Sequence, residues 1–433
     1  MKIGFFTFLF LCWFTALNCC LFAQSAKHIV LISIDGLRPE MYQNASWPAP
    51  HLRQLMKEGV YADHMKSVFP SYTYPSHVAM LTGALPTRSG IYYNAPMGSK
   101  GDWNWFTKDI KVLTLWQALK QKGLTTSAVE WPVSVSPDIT YNIPEIWSND
   151  HPEDRITEVR KYATPGLIEE IERNATGKLD SVNMNEEYSG LDINAARIAA
   201  YIFITYKPNL LALHFAGVDG RQHEYGTEAT QVKLAVENVD HSIGVLLEAI
   251  ERSGMKDSTT VIIVGDHGFA NYNSFIQPNV WIKELKAKFQ PAGGSCFLYL
   301  DDKKDASTFK QVKRILDTVS ARKYFRVIEK KELDAMGVDS SAMLALAAEP
   351  GYIFGGSSNG PAFGKTKSPG GHHGYDPNIK EMYTGFIAAG AGINKGRKIN
   401  ELCVTDIAPL IAKLLGVEFT SPDGKLVPRI LNE

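Results

Sequence analysis

KHIVLISIDG, residues 27–36, is a short apolar run rich in β-branched residues and closed by Asp-Gly. It reads as a strand buried on both faces that enters a loop. Similar runs recur at NLLALHFAGVD (209–219), TTVIIVGDHG (259–268) and MYTGFIAAGAG (382–392). Helical patterns stand between them, such as ATQVKLAVENVDHSIGVLLEAIERSG (229–254), which closes on Gly254 as helices do. Strands of this kind alternating with helices predict an α/β fold, with a mostly parallel central sheet covered by helices on both faces. In such sheets chemistry gathers beyond the carboxyl ends of the strands.

Three of the four runs end at or just before an acid: Asp35, Asp219 and Asp266. A carboxylate at a buried strand end is costly unless a cation pairs with it. One such residue alone reads equally well as a cap or turn, but three in turn, two with a histidine at hand, point to a cation site. VDGRQHEYG sets Asp219 and His223 four residues apart, on one face of a helical turn. GDHG brings Asp266 and His267 together, and GGHHGYD places His372 and His373 in a glycine-rich loop. Carboxylates mixed with imidazoles, without thiolates, suit a catalytic zinc site that keeps open positions. His28, His51, His64, His151 and His241 lie outside these groups and read as surface or hydrogen-bonded histidines.

FPSYTYPSHVAMLTG, residues 69–83, runs at once from a proline into an apolar helical pattern. Pro75 suits the first turn of a helix, which puts Thr73 just outside its amino end, where the dipole favours an anion. Alone this is a capping threonine; beside a metal ion it becomes a nucleophile.

The 433 residues carry a formal net charge of -1, which excludes a general basic field for nucleic-acid polymers. Residues 1–25 contain one lysine, an apolar run and then small residues, the build of a secretory signal cleaved between Ala23 and Ser25. No later run is long enough to span a membrane, so the mature chain is expected to be exported, periplasmic or secreted. Residues 26–270 and 371–433 form the expected α/β core. Residues 271–370, with charged patches and a Gly/Ser/Pro-rich exit, read as a smaller α+β insertion. Cys296 and Cys403 leave room for one disulfide.

The segments ISIDGLRPEMY, FPSYTYPSHVAMLTG, RSGIYYN, TLWQALKQKGLTTSAVEWPVS, GVDGRQHEYG, VIIVGDHGF and GHHGYDPN together resemble the nucleotide pyrophosphatase/phosphodiesterase family of the alkaline phosphatase superfamily, as an exported bacterial member. The resemblance implies two Zn2+ per chain, one held by Asp219, His223 and His373, the other by Asp35, Asp266, His267 and the Thr73 oxygen. His373 is preferred to His372 because the family's His-Gly-Tyr-Asp pattern falls on residues 373–376. It further implies in-line attack by Thr73, a phosphothreonine intermediate and a small, nucleotide-type phosphodiester substrate. Tyr74 and Tyr141 resemble positions that flank a nucleobase.

Related phosphomonoesterases add a Lys-x-Arg pair after the strand that here reads TTSAVEWPVSVSPDI, and no Lys or Arg occurs between Lys122 and Arg155. This favours diesters. Where the family commonly has Asn in TFPNH, this chain has Ser76 in TYPSH, so the phosphate donor there would be a shorter hydroxyl. A phosphomonoesterase or phosphonate hydrolase is the alternative, with a cation such as Lys365 or Lys367 reaching in from the insertion. A non-catalytic secreted binding protein of the same fold is another, against which stand the intact ligand positions and Thr73.

Overall fold

The computed structural model describes residues 26–185 and 190–432; the leader lies outside them. The central sheet takes β1 (His28–Ile34), β2 (Val60–Lys66), β3 (Thr126–Val129), β4 (Tyr141–Ile143), β5 (Leu210–Phe215) and β6 (Thr259–Val264). After an excursion of seven further strands, the chain returns with β14 (Phe386–Gly390) and β15 (Arg397–Cys403). Their order is β15-β2-β14-β6-β1-β5-β3-β4.

Alternation along the strands explains the two apolar faces. Val30, Ile32 and Ile34 join one core with Leu211, Leu213 and Phe215, under the helices Pro50–Glu58, Gly190–Tyr206 and Thr230–Arg252. Ile29 and Leu31 join the other with Leu210 and Ala212, under the helices Leu115–Gln121 and Ile407–Leu414. Successive side chains of a strand point to opposite faces, so a continuous apolar run fills both cores.

The sheet is mixed rather than wholly parallel. β14 runs antiparallel to β6 and β2, while the other neighbours are parallel. MYTGFIAAGAG is thus the exception among the four runs, and it is the run without a terminal acid. A reversed strand has its amino end where the others have their carboxyl ends, so residues ahead of β14, including His373, arrive at the same edge as Asp35, Asp219 and Asp266.

The excursion begins with β7 (Ala270–Ile276), β8 (Ala287–Ala292), β9 (Ser295–Leu300) and β10 (Phe325–Glu329). β11 (Leu344–Ala348), β12 (Gly351–Phe354) and β13 (Phe363–His372) complete it. β10-β11-β9-β8 form an antiparallel sheet, and β12-β7-β13 a mixed one in which β12 runs parallel and β13 antiparallel to β7. The helix Ala306–Thr318 packs Val312 and Leu316 into a third core with Phe289, Leu298 and Leu346. The Gly/Ser/Pro-rich exit contains the strand β13, which pairs back on β7 with His372 opposite Ala270. The excursion therefore leaves from the Asp266-His267 segment and returns to His373 as two paired strands. Cys296 lies on β9 and Cys403 ends β15; both are free thiols, so the disulfide allowed by the sequence is not formed.

Candidate active site

Asp35 follows β1 and is 4% exposed, while Asp266 and His267 follow β6 and are fully buried. Gly36 turns the chain sharply with φ 68°, and a Cβ there would lie 2.6 Å from Gln222 Nε2. Its amide donates to Asp266 Oδ1 at 3.0 Å, as does the amide of His267. Both bonds fall on one oxygen of Asp266. Oδ2 is buried without a hydrogen bond and lies 3.1 Å from His267 Nε2. Asp35 is divided in the same way: Oδ2 is 3.1 Å from His214 Nε2, whereas Oδ1 has no hydrogen bond and lies 3.2 Å from His267 Nε2.

Asp219 and His223 share one face of the helix Gly217–Tyr225, with Asp219 Oδ2 3.4 Å from His223 Nε2. His373 Nε2 lies 3.8 Å from Asp219 Oδ1. β13 reaches this helix because Gly371 has no side chain; a Cβ would lie 2.4 Å from Gln222 O.

The tautomers share one logic. His223 Nδ1 donates to Gly371 O at 3.1 Å, His267 Nδ1 to Gly268 O at 3.2 Å and His373 Nδ1 to Ser71 O at 2.9 Å. Each ring therefore presents the lone pair of Nε2 to carboxylate oxygens. Lone pairs facing carboxylates repel unless a cation stands between them. Donor atoms of Asp35, Asp266 and His267 lie within 4.8 Å of one another, as do those of Asp219, His267 and His373.

The electrostatics agree with this geometry. Burial, then the charges of Asp266 and Asp219, hold the Asp35 pKa well above the carboxylate range. Burial pushes Asp266 up to about 7. Burial and neighbouring imidazoles push His267 and His373 well below the ordinary histidine value. Such a set, ionised acids with neutral imidazoles, is stable only around positive charge, and its mixed O and N donors fit divalent metal ions.

Thr73 Oγ1 faces this group, 3.4 Å from His267 Nε2. The helix starts at Thr73 itself, one turn position earlier than Pro75 suggested, and Thr73–Thr82 is buried all round. His77 Nδ1 donates to Thr73 O at 2.7 Å and secures the first turn.

The sequence profile described as "Type I phosphodiesterase / nucleotide pyrophosphatase" matches residues 29–376. The chain belongs to this family. It is a hydrolase of phosphodiester bonds. It is 22% identical over 417 residues to the bis(5'-adenosyl)-triphosphatase enpp4 of Xenopus laevis, covering 93% of this chain and 81% of that one. It is likewise 22% identical over 425 residues to ectonucleotide pyrophosphatase/phosphodiesterase family member 7 of Rattus norvegicus, covering 93% and 86%. Human ectonucleotide pyrophosphatase/phosphodiesterase 5 shares the fold with a TM-score of 0.69 at 19% identity, over 94% of this chain and 100% of that one. The murine protein, solved as an inactive variant in complex with AMP, gives 0.67 at 19% identity, over 92% and 97%.

Three residues expected to touch substrate in this phosphodiesterase are placed otherwise. Ser76 is fully buried, and its hydroxyl donates to Tyr72 O at 2.6 Å and meets Ser67 Oγ at 2.8 Å, so it serves the helix and not a phosphate. Tyr74 is fully buried with its ring edge-on to Trp103, leaving no open face for a base. Tyr141 is in register with Ser127, Leu211 and Val30, five residues short of Asp35. At ~3.3 Å per residue that is about 16 Å along the strands, and Tyr141 also lies three strands across, stacked on Tyr206. Lys365 Nζ donates to Asn273 Oδ1 at 3.0 Å and Lys367 is exposed, so the structure directs neither to Thr73.

Three residues were missed. His214 spans Asp35 and the Glu130 carbonyl, to which its Nδ1 donates at 3.1 Å. Its signal was a histidine inside a wholly apolar strand. His77 stood four residues after Thr73, one helical turn on. Asn94, in the quoted RSGIYYN, accepts the Tyr74 amide on Oδ1 at 3.0 Å, which holds its side chain next to the Thr73–Tyr74 backbone; only the fold reveals this proximity.

Proposed function

We propose that the chain cleaves nucleotide-type phosphodiester and pyrophosphate bonds by attack of Thr73 Oγ1 and passage through a phosphothreonine. In this reading Asp219, His223 and His373 hold one zinc ion, and Asp35, Asp266, His267 and Thr73 hold a second. The supporting observation is that Thr73 meets a buried group whose untied carboxylate oxygens and imidazole lone pairs face one another. Bound zinc supplies Lewis-acid stabilisation of the charge that develops on phosphoryl oxygens.

The chain's own residues do the rest. His77 and the buried helix hold Thr73 in line with its target, and the preset geometry removes the entropy cost of alignment. Asn94, pinned through its carbonyl oxygen, offers an amide N–H to the anion in place of Ser76. His214 keeps one oxygen of Asp35 occupied so that the other faces the ion.

Diesters are favoured over monoesters because Arg38, three residues after Asp35, is otherwise engaged. Arg38 binds Gln222, Glu40, Glu228 and Thr227 O. The three carboxylates and an ionised Thr73 balance two divalent ions, which suits a singly charged diester. A monoester, with about one further charge, would need an added cation.

The test is turnover of a nitrophenyl nucleoside monophosphate diester against nitrophenyl phosphate by zinc-loaded protein. We expect the diester to be preferred by about a hundredfold or more, a ~2.7 kcal/mol difference, and activity to vanish with chelator and return with zinc. Preference for the monoester would overturn the diester reading, and no turnover of either would favour a binding protein. We also propose export through residues 1–25; amino-terminal sequencing of the exported chain should find a start within residues 24–26, and an intact Met1 would refute it.

A further inference from the structure

Three imidazoles converge on the more open side of the site, where the family pattern uses two. One ring nitrogen from each of His223, His372 and His373 lies within 4.8 Å of the others. The His372 ring stands nearly perpendicular to that of His223, with centroids 4.7 Å apart. It is delivered by a paired strand, because His372 ends β13 opposite Ala270.

Its tautomer is set differently from those of the other ligands. Nδ1 of His223, His267 and His373 each meets a backbone carbonyl. His372 Nδ1 meets both polar groups of His373, the carbonyl oxygen at 3.1 Å and the amide nitrogen at 3.0 Å. When Nδ1–H donates to the carbonyl, Nε2 carries a lone pair and can bind a metal ion. When Nδ1 accepts from the amide, Nε2 carries the hydrogen and cannot.

We propose that His372 is an exchangeable fourth protein ligand to the metal ion held by Asp219, His223 and His373. Bound, it completes the four-coordinate set that zinc prefers; released, it opens a position for substrate. The exchange is proton-neutral: solvent water takes the Nδ1 proton and returns one to Nε2 as the ring leaves the ion, and the reverse occurs on binding. The inference rests on the two-metal reading above.

The test is competition for zinc between a chromophoric chelator and the purified chain, with His372→Gln and His372→Ala beside the wild type. Visible spectra of the cobalt-substituted proteins are recorded in parallel. One of two zinc ions should bind at least about tenfold more weakly in both variants, the scale seen on disturbing metal surroundings, and the cobalt spectrum should change. Two zinc affinities within about twofold of wild type, with an unchanged spectrum, would overturn the inference while leaving the two-metal reading intact, since tenfold is the smallest effect expected. A wild type that binds no zinc would overturn both. Should neither variant fold, X-ray absorption of the zinc-loaded wild type decides: four imidazoles shared by two ions support His372, and three refute it.

Discussion

The two halves of the site are made of the same chemistry in different surroundings. Asp35, Asp266 and His267 sit under the sheet edge with almost no exposure, each carboxylate held through one oxygen. The side chains of Asp219 and His223, on a peripheral helix, remain 19% and 32% exposed. The buried half is framed by backbone amides and by His214, so its shape is set before any ion arrives. The open half depends on the approach of β13 and can exchange ligands. Preorganisation and access are thus divided between two neighbouring groups, with Thr73 on the buried side.

Thr73→Ala should break the comparison most strongly. Turnover of the diester should fall by at least ~10^3-fold, while zinc titration still counts two ions. An active variant would remove Thr73 from the chemistry.

Asp266→Asn probes the buried half through stability. Asp266 titrates at about 7 in the folded, metal-free chain against 3.8 unfolded. A raised carboxyl contributes stability below the unfolded pKa and loses it as pH rises through the folded one. Metal-free Asp266→Asn should therefore be more stable than metal-free wild type above pH 7, by up to about 4 kcal/mol. The difference should vanish towards pH 4, and zinc should stabilise the variant far less. Denaturant melts with and without chelator would show this; a variant no more stable than wild type at pH 8 would contradict the buried-charge account.

His223→Asn acts on the open half. It should weaken one zinc ion by at least about 10- to 100-fold, the scale of losing even an outer-shell partner, and leave the other unchanged. In the wild type, a chelator time course should remove zinc in two phases, the open half first. A single phase would erase the distinction between the halves.

His214→Ala should reduce turnover by roughly tenfold, the effect of losing a group that orients a ligand, with rescue by His214→Gln if position alone matters. Smallest of all, reductant should shift stability by less than about 0.5 kcal/mol, because Cys296 and Cys403 are unpaired.

Much of this was legible in the chain itself. The strands rich in Ile, Leu and Val declare burial on both faces, because a run without polar alternation has no side to give to water. Asp35, Asp219 and Asp266 stand out for the converse reason: ionised groups at buried strand ends require compensation. The spacing of Asp219 and His223 placed both on one helical face, since the helix repeat is a local property. Thr73 was legible from its place beside Pro75, although the helix begins one step earlier.

The substrate-facing residues were not legible. Ser76, Tyr74 and Tyr141 were chosen by position along the chain, but whether a hydroxyl faces a phosphate or its own helix is decided by packing. Tyr141 shows the point most plainly: its strand joins the sheet at a register that carries it away from Asp35, and register belongs to the pairing and not to the strand. Asn94 came into view only when separate elements met, whereas His214 in its apolar strand and His77 one turn after Thr73 carried local signals.

By itself, then, the sequence determined the layered α/β fold, the acids at the parallel strand ends and the histidines beside them, because burial and local periodicity act on neighbours along the chain. The tertiary structure alone decided that β14 runs backwards and so delivers His373 to the same edge. It also decided which oxygen of Asp35 and of Asp266 is left untied, and that His372 stands beside His223. These are contacts between residues more than a hundred positions apart, and their geometry exists only once the sheet has been assembled.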